Sequence, residues 1–345
     1  MRLASVRLDG RDQLAIEPSA GVLITVQDAV KFGGKARAFE PEDMLALIRS
    51  GLQWLDTLQN AVSAARASDS RIRRYRLDEA QWYAPVRSPS KIVCVALNNR
   101  ALDAVKIRAP SDHPAFFLKP STALIGHRGA IRLRAAYGLT HPEPELGVVI
   151  GQTLRDASPA TAMSAIFGYT IVNDVTCVGM REEDSFTVRV FKPGPTPGEV
   201  SVGEAHTTYP GRYKGSDTFA PMGPYLVTRD EIPDAAALQI TCSLGDRMVA
   251  SDHTRNYVWD VPHALSHISR TMTLLPGDIV SMGTAVGGGA DSASAGVPGL
   301  TRADLIGFEG IVSISIAGLG TLENRVETIR EETGAGGDER AHFST

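Results

Sequence analysis

A pair of glutamates directly before a continuous apolar run is the feature that most constrains this chain. Glu143 and Glu145 stand two residues apart and lead into the apolar residues 148–150. Such a run, without a polar break, is typical of a strand that is buried on both faces. Side chains at positions i and i+2 of a strand share a face, with Cα atoms roughly 6.5 to 7 Å apart, so both carboxylates can bind one cation. The sequence therefore predicts a β-rich core with an acidic cluster where a strand enters it.

Asp174 and Lys214 extend this predicted cluster. Asp174 ends a second β-rich run, Tyr-Thr-Ile-Val-Asn-Asp, and Lys214 lies ahead of Gly-Ser-Asp-Thr-Phe-Ala-Pro-Met-Gly-Pro. A lone Glu-x-Glu is usually a solvated strand face that binds nothing. The apolar context of these acids favours the alternative, a Mg²⁺ site with an amine that stabilises an oxyanion.

Eight segments that follow one another between about residues 85 and 327 resemble the fumarylacetoacetate hydrolase (FAH) superfamily. They are residues 90–95 with Asn98, 116–120, 143–146, 173–176, 219–224, 275–278, 283–284 and 320–324. The resemblance implies an α+β, β-rich fold with an FAH-like mixed β-roll or sandwich core, usually a homodimer. We expect a small N-terminal α+β domain over residues 1–84, the FAH-like catalytic domain over 85–330 and a disordered tail over 331–345.

The resemblance also implies roles for individual residues. The metal ligands would be Glu143, Glu145 and Asp174, holding Mg²⁺ or Mn²⁺. Lys214 would stabilise an enolate or oxyanion, and Thr284 would contact the substrate carboxylate and take part in catalysis. Asn98 would hold the loop after the first core strand. Apart from the resemblance, we expect Asn98, Thr284 and Arg181 to be the substrate-binding residues.

The chain departs from the family pattern at the general base. Many members that cleave C–C bonds carry a His and a Glu after the first core strand, and here Leu102 and Val105 take those places. Neither side chain can accept a proton, so the base is left open. The candidates are Asp103, Lys106, His113 and the insertion 185–213, and we favour His113 because its unperturbed pKa is closest to neutral.

Two more departures concern substrate contacts. After Asp174, many members place an arginine four residues on and a glutamine three residues later, whereas this chain has Val178 and Arg181. The Pro- and Gly-rich insertion 185–213 separates Asp174 from Lys214 by more than is usual. We therefore expect substrate contacts in this region that are particular to this protein.

These features predict an enzyme that acts on a small 2-oxo acid through an enolate stabilised by the metal and Lys214. The first hypothesis is a metal-dependent hydrolase that cleaves a C–C bond of a 2-oxo acid or 1,3-diketone, such as an acylpyruvate-like product of aromatic catabolism. The second is a decarboxylase, isomerase or hydratase of a related 2-oxo acid. The third is a metal-binding homologue without catalysis, against which the retained ligands and Lys214 argue.

The composition indicates which binding partners and which cellular compartment to expect. The formal net charge of −4 gives no electrostatic reason to expect nucleic acid or an anionic membrane, and the basic run 71–76 is interpreted as a solvated connector. Cys94, Cys177 and Cys242 stand in apolar or β contexts and are expected to be buried free thiols, which favours a reducing cytoplasm. No stretch of some 18 apolar residues or apolar signal core is present.

Local patterns predict a few elements outright. Residues 40–66 carry an apolar stripe at helical spacing and predict one helix. Alternating residues 238–244, followed by Gly245-Asp246 and residues 247–249, predict a hairpin, as do residues 311–316 with the turn at 318–320.

Overall fold

The computed structural model describes residues 1–32, 41–51, 58–60, 62–63, 72–103, 106, 110–287 and 303–329. The strands are β1 (Arg2–Leu8), β2 (Arg11–Ser19), β3 (Val22–Thr25), β4 (Tyr75–Arg76), β5 (Gln81–Trp82), β6 (Ile92–Val95), β7 (Phe116–Lys119), β8 (Leu124–Ile125), β9 (Ala130–Arg134), β10 (Thr140–His141), β11 (Pro144–Ile150), β12 (Ile166–Asn173), β13 (Thr176–Cys177), β14 (Ser185–Pro193), β15 (Val200–Thr208), β16 (Ala220–Thr228), β17 (Gln239–Leu244), β18 (Arg247–His253), β19 (Ile279–Thr284), β20 (Ile311–Ile316) and β21 (Gly320–Ile329). The helices are α1 (Val26–Phe32), α2 (Met44–Arg49), α3 (Pro159–Ser164), α4 (Val178–Glu183), α5 (Gly211–Gly215) and α6 (Val261–Thr271).

A large sheet forms the centre of the structure, and its middle strands are those that the apolar runs predicted. Its order is β4-β3-β2-β1-β16-β12-β11-β19-β6-β7, with β5 attached to β1 and β8 to β16. Every residue of β11 and of β12 is buried, as expected for strands covered on both faces. Most pairs are antiparallel, and the parallel ones are β6 with β19 and β8 with β16.

A second sheet, in the order β18-β17-β20-β21-β9, packs on the first. Both predicted hairpins lie in it, because β17 pairs with β18 and β20 pairs with β21, each antiparallel. Its strands alternate buried apolar and more exposed residues, and Ile240 and Ile314 share one apolar cluster with Leu146 and Tyr169 of the large sheet. The mixed, β-rich sandwich that the sequence predicted is confirmed.

The N-terminal strands continue the large sheet. β1 pairs with β16, and Ser5 donates a hydrogen bond to the carbonyl oxygen of Pro85 at 2.7 Å. The division into domains at residue 84 stays a prediction, and the tail 331–345 lies outside the described residues.

The prediction of one continuous helix over residues 40–66 is wrong at residues 50–51, and residues 40, 52–57, 61 and 64–66 lie outside the described residues. Helix α2 ends at Arg49, and Gly51 has a φ of +96°, a left-handed conformation that stops a helix. Helical backbone is described again at residues 58–60 and 62–63.

The insertion 185–213 contains a β-ribbon. Strands β14 and β15 pair along their whole length and form a sheet of their own. At its base, Arg212 pairs with Glu183 at 2.6 Å and with Asp184 at 3.2 Å. The ribbon exposes several large apolar side chains, which are Phe186, Val188, Phe191, Val200 and Val202.

Cys94, Cys177 and Cys242 are buried free thiols, as the sequence predicted. Among the described residues, no helix has the length and apolar character needed to cross a membrane.

Candidate metal and substrate site

Two neighbouring strand ends bring the three predicted acids together. β11 and β12 pair so that Pro144 lies opposite Asn173, which places Glu143 and Glu145 next to Asp174. The Asp174 amide donates to the carbonyl oxygen of Glu143 at 2.9 Å, and the Glu143 amide donates to the side-chain oxygen of Asn173 at 3.0 Å. The backbone therefore fixes the spacing of the carboxylates.

The three carboxylates can each offer an oxygen to one cation. One oxygen from each of Glu143, Glu145 and Asp174 lies within 4.8 Å of the others. Glu145 and Asp174 are each only 1% exposed. One oxygen of Glu145 accepts bonds from the Ser281 hydroxyl at 2.5 Å and from the Gly283 amide at 2.9 Å, which orients this carboxylate from β19.

Two lysines flank Asp174 from opposite elements. Lys214 Nζ, on α5, donates to Asp174 Oδ2 at 2.6 Å and to Glu143 Oε2 at 3.0 Å. Lys119 Nζ, at the end of β7, donates to Asp174 Oδ1 at 2.5 Å. Three carboxylates and two ammonium groups leave this buried cluster with an excess of negative charge.

The excess negative charge appears in the pKa values of the acids. Burial, together with the charges of Asp174 and Glu143, raises the pKa of Glu145 to about 8. Burial would also raise the pKa of Glu143, but Lys214 and His141 outweigh it and hold the Glu143 pKa below its usual range. For Lys214, burial opposes the charged form, yet Asp174 and Glu143 raise its pKa above the ordinary value, so the amine stays an ammonium.

A divalent cation fits this donor set. Carboxylate oxygens are the ligands that Mg²⁺ and Mn²⁺ prefer, and a buried cluster with unbalanced negative charge is relieved by a cation. Glu143, Glu145 and Asp174 are the residues that would hold the ion, and their role as ligands stays a prediction.

A cavity of about 470 Å³ opens onto the carboxylates. Its polar lining includes Thr176 and His141, each bonded to Glu143 Oε1, at 2.7 and 3.2 Å. Its apolar lining residues are Val95, Ala96, Leu97, Leu102, Phe117, Val178, Pro210 and Val286. Tyr213, from the insertion 185–213 in which the base was also sought, adds a phenol to the lining. The cavity is therefore charged at the carboxylates and apolar along much of its wall.

Of the predicted substrate-binding residues, Thr284 and Arg181 line the cavity. Thr284 lies opposite Glu145 in the pairing of β11 with β19. Asn98 is buried, donates to the carbonyl oxygens of Met282 and Trp259 at 2.7 and 2.9 Å, and accepts from the Trp259 amide at 2.7 Å. These bonds tie the loop after β6 to its neighbours. They occupy the side-chain amide of Asn98, which a contact with substrate would also need.

The structure places His113 away from the carboxylates. Its imidazole lies outside the cavity lining, is bonded to Asp112 at 2.7 Å and stacks on His267 with ring centres 5.1 Å apart. Asp103 and Lys106 pair with each other at 2.8 Å. None of the three is brought to the site, and Val105 lies outside the described residues.

Sequence reasoning assigned no role to four residues that shape the site. His141 stands in the acidic motif and Lys119 ends an apolar strand, a place where a lysine must be paired, so both carried a local signal. Asn99 and Asp252 have no local sequence pattern that would indicate a role in the site. The Asp252 carboxylate accepts from the Asn99 side chain at 2.8 Å and from the Val286 and Gly287 amides at 2.8 and 3.0 Å, joining two cavity walls.

Comparison with known proteins agrees with this geometry. Residues 91–327 match the family model described as fumarylacetoacetate (FAA) hydrolase C-terminal. The protein Rv2993c of Mycobacterium tuberculosis is 34% identical over 74% of this chain and 81% of its own length. A 2,4-didehydro-3-deoxy-L-rhamnonate hydrolase of Sphingomonas is 30% identical over 66% of this chain and 73% of its own length.

A solved structure extends the similarity to the whole fold. The 2-hydroxyhepta-2,4-diene-1,7-dioate isomerase of Mycobacterium marinum is 28% identical, with a TM-score of 0.61 over 96% of this chain and 99% of that one. The family match spans β6 to β21 and contains both strand ends that carry the acidic cluster. This chain belongs to the fumarylacetoacetate hydrolase family.

Proposed function

We propose that this protein is a divalent-metal-dependent enzyme that acts on 2-oxo acids through an enolate, and that it hydrolyses a C–C bond of an acylpyruvate-like substrate. The observation that carries the proposal is the convergence of three carboxylates and the Lys214 ammonium in one cavity. A bound Mg²⁺ or Mn²⁺ supplies Lewis acidity at the keto group of the substrate. Family membership supports an enzyme, and the homodimer and cytoplasmic location remain predictions.

Lys214 acts as a charged hydrogen-bond donor. Its ammonium faces the cavity beside Asp174 and Glu143, and those carboxylates keep it protonated. A fixed donor of this kind stabilises the negative charge that develops on the keto oxygen as an enolate forms, at about 3 to 4 kcal/mol for one well-placed donor.

The cavity wall fits a substrate with a polar head and a less polar body. Thr284 lies opposite Glu145 in the sheet and lines the cavity, so its hydroxyl can bind the substrate carboxylate. The Arg181 guanidinium lines the same cavity and makes no ion pair within the described part of the chain, so it can bind a second polar end of the substrate. The side chains of Phe117, Val178 and Tyr213 can cover the atoms between these ends.

Isomerisation of a 2-oxo acid is the second candidate. Leu102, which lines the cavity, stands where the sequence pattern of cleaving family members has its histidine, and His113 lies elsewhere. Isomerisation also needs a group that accepts and returns a proton, but it needs no activated water, and the similar Mycobacterium marinum structure is that of an isomerase.

The reaction products distinguish hydrolysis from isomerisation. We would incubate the protein and Mg²⁺ or Mn²⁺ with acetylpyruvate, fumarylpyruvate, oxaloacetate and unsaturated 2-oxo acids. Pyruvate released from acylpyruvates, measured with lactate dehydrogenase, supports hydrolysis. Loss of the enol absorbance of oxaloacetate, or a shifted double bond, without pyruvate release supports isomerisation. Metal and oxalate binding without turnover of any of these acids would contradict both and favour the non-catalytic homologue.

A further inference from the structure

Lys119 is a buried cation that touches the metal cluster but does not line the cavity. Its side chain is 0% exposed and that of its partner Asp174 is 1% exposed. Besides Asp174 Oδ1, its ammonium donates to the carbonyl oxygen of Val175 at 3.3 Å. Lys119 therefore holds both the carboxylate and the peptide that follows it.

The two lysines occupy different oxygens of Asp174. Lys119 takes Oδ1 from the core side, and Lys214 takes Oδ2 from the cavity side. Lys214 sits at the end of a five-residue helix next to the ribbon, whereas Lys119 sits on a strand paired with β6. A cation that enters from the cavity can displace Lys214 from Oδ2 but cannot reach Oδ1 without breaking a fully buried ion pair, which is costly.

We propose that Lys119 is a positioning residue that restricts Asp174 to one ligand oxygen and thereby favours small cations such as Mg²⁺ over Ca²⁺. The inference rests on the proposed metal site. Mg²⁺ requires close to octahedral geometry with single oxygens, whereas Ca²⁺ accepts six to eight ligands and readily takes both oxygens of a carboxylate. An Asp174 that offers one oxygen suits the first ion and leaves more positions open for a chelating 2-oxo acid.

The test is the ratio of Mg²⁺ to Ca²⁺ affinity in Lys119→Met, measured by calorimetry on the metal-free full chain. Removing the ammonium frees Oδ1, so the preference for Mg²⁺ over Ca²⁺ should fall by about tenfold or more, the usual size of an effect from a residue that orients a metal ligand. The loss of charge affects both divalent ions alike and cancels in the ratio.

Lys91→Met is the matched control. Lys91 Nζ pairs with buried Asp278 at 2.5 Å, outside the cavity lining. This variant should lose stability and keep the wild-type ratio. An unchanged ratio in Lys119→Met, with both ions bound, would overturn the role of Lys119 and leave the proposed function standing. Failure of the wild type to bind any divalent cation would overturn both.

A second measurement covers the case in which Lys119→Met does not fold. A crystal structure of the wild-type protein soaked with Mg²⁺ should show one oxygen of Asp174 on the ion and Oδ1 still bonded to Lys119. Two Asp174 oxygens on the ion, or a broken Lys119 pair, would refute the proposal.

Discussion

Lys214→Met removes the only ammonium that both lines the described cavity and contacts two of the acids. Lys214 donates at 2.6 Å to Asp174 and at 3.0 Å to Glu143. Loss of one donor to a developing oxyanion lowers kcat by roughly 10² to 10³. Metal binding should survive, because the ammonium occupies oxygens that the cation would use.

The same substitution should destabilise the metal-free protein. Removing one partner of a buried ion pair costs about 3 to 5 kcal/mol, since the remaining carboxylates lose their compensation. Bound Mg²⁺ should restore much of this loss, which urea unfolding with and without Mg²⁺ would measure. The kinetic assay follows consumption of the best 2-oxo acid at saturating Mg²⁺. A kcat within threefold of wild type, or loss of metal binding in step with kcat, would refute the role of Lys214.

Three further predictions concern the acids and a buried histidine. Glu145→Ala should keep the circular dichroism spectrum but lose Mg²⁺ binding and activity, and unchanged Mg²⁺ affinity in calorimetry would contradict its role. Asp252→Asn should raise KM, because it loosens the Asn99 and Val286 walls, and lower stability by about 2 kcal/mol while Mg²⁺ affinity is kept. Burial, with help from Arg128, lowers the pKa of His127 from 6.5 to about 4. As the pH falls, His127 is therefore protonated at a lower pH in the folded state than in the unfolded chain. About 3 kcal/mol of stability, present above pH 6.5, should therefore be lost towards pH 4, and His127→Asn should flatten that part of a urea-unfolding pH profile.

The acidic cluster could be predicted because its members lie where apolar strands end. Glu143, Glu145 and Asp174 each adjoin an apolar run that is typical of a buried strand, and paired strands place their ends together. The hairpins could be predicted as well, because Gly245-Asp246 interrupts a clear alternation of apolar and polar residues. In these places local pattern and fold agree.

The wrong or missing predictions have two causes, which are contacts with residues distant in the sequence and one local backbone conformation. His113 follows the Asn98 loop, but its imidazole stacks on His267 of α6, and no local pattern announces that contact. The Asp252 carboxylate is satisfied by Asn99, Val286 and Gly287, which come from other segments. Helix α2 ended early because Gly51 adopts a left-handed conformation, which an apolar stripe does not reveal.

Under the proposed function, this cavity forms the enolate of a 2-oxo acid with the help of a divalent cation. Deuterium incorporation at C3 of pyruvate in D₂O, followed by proton NMR, tests it without assuming what happens to the enolate next. We expect exchange that requires Mg²⁺ or Mn²⁺, stops with EDTA and is lost in Glu145→Ala. Exchange no faster than with the free metal ion, in protein that calorimetry shows to be loaded with Mg²⁺, would contradict it.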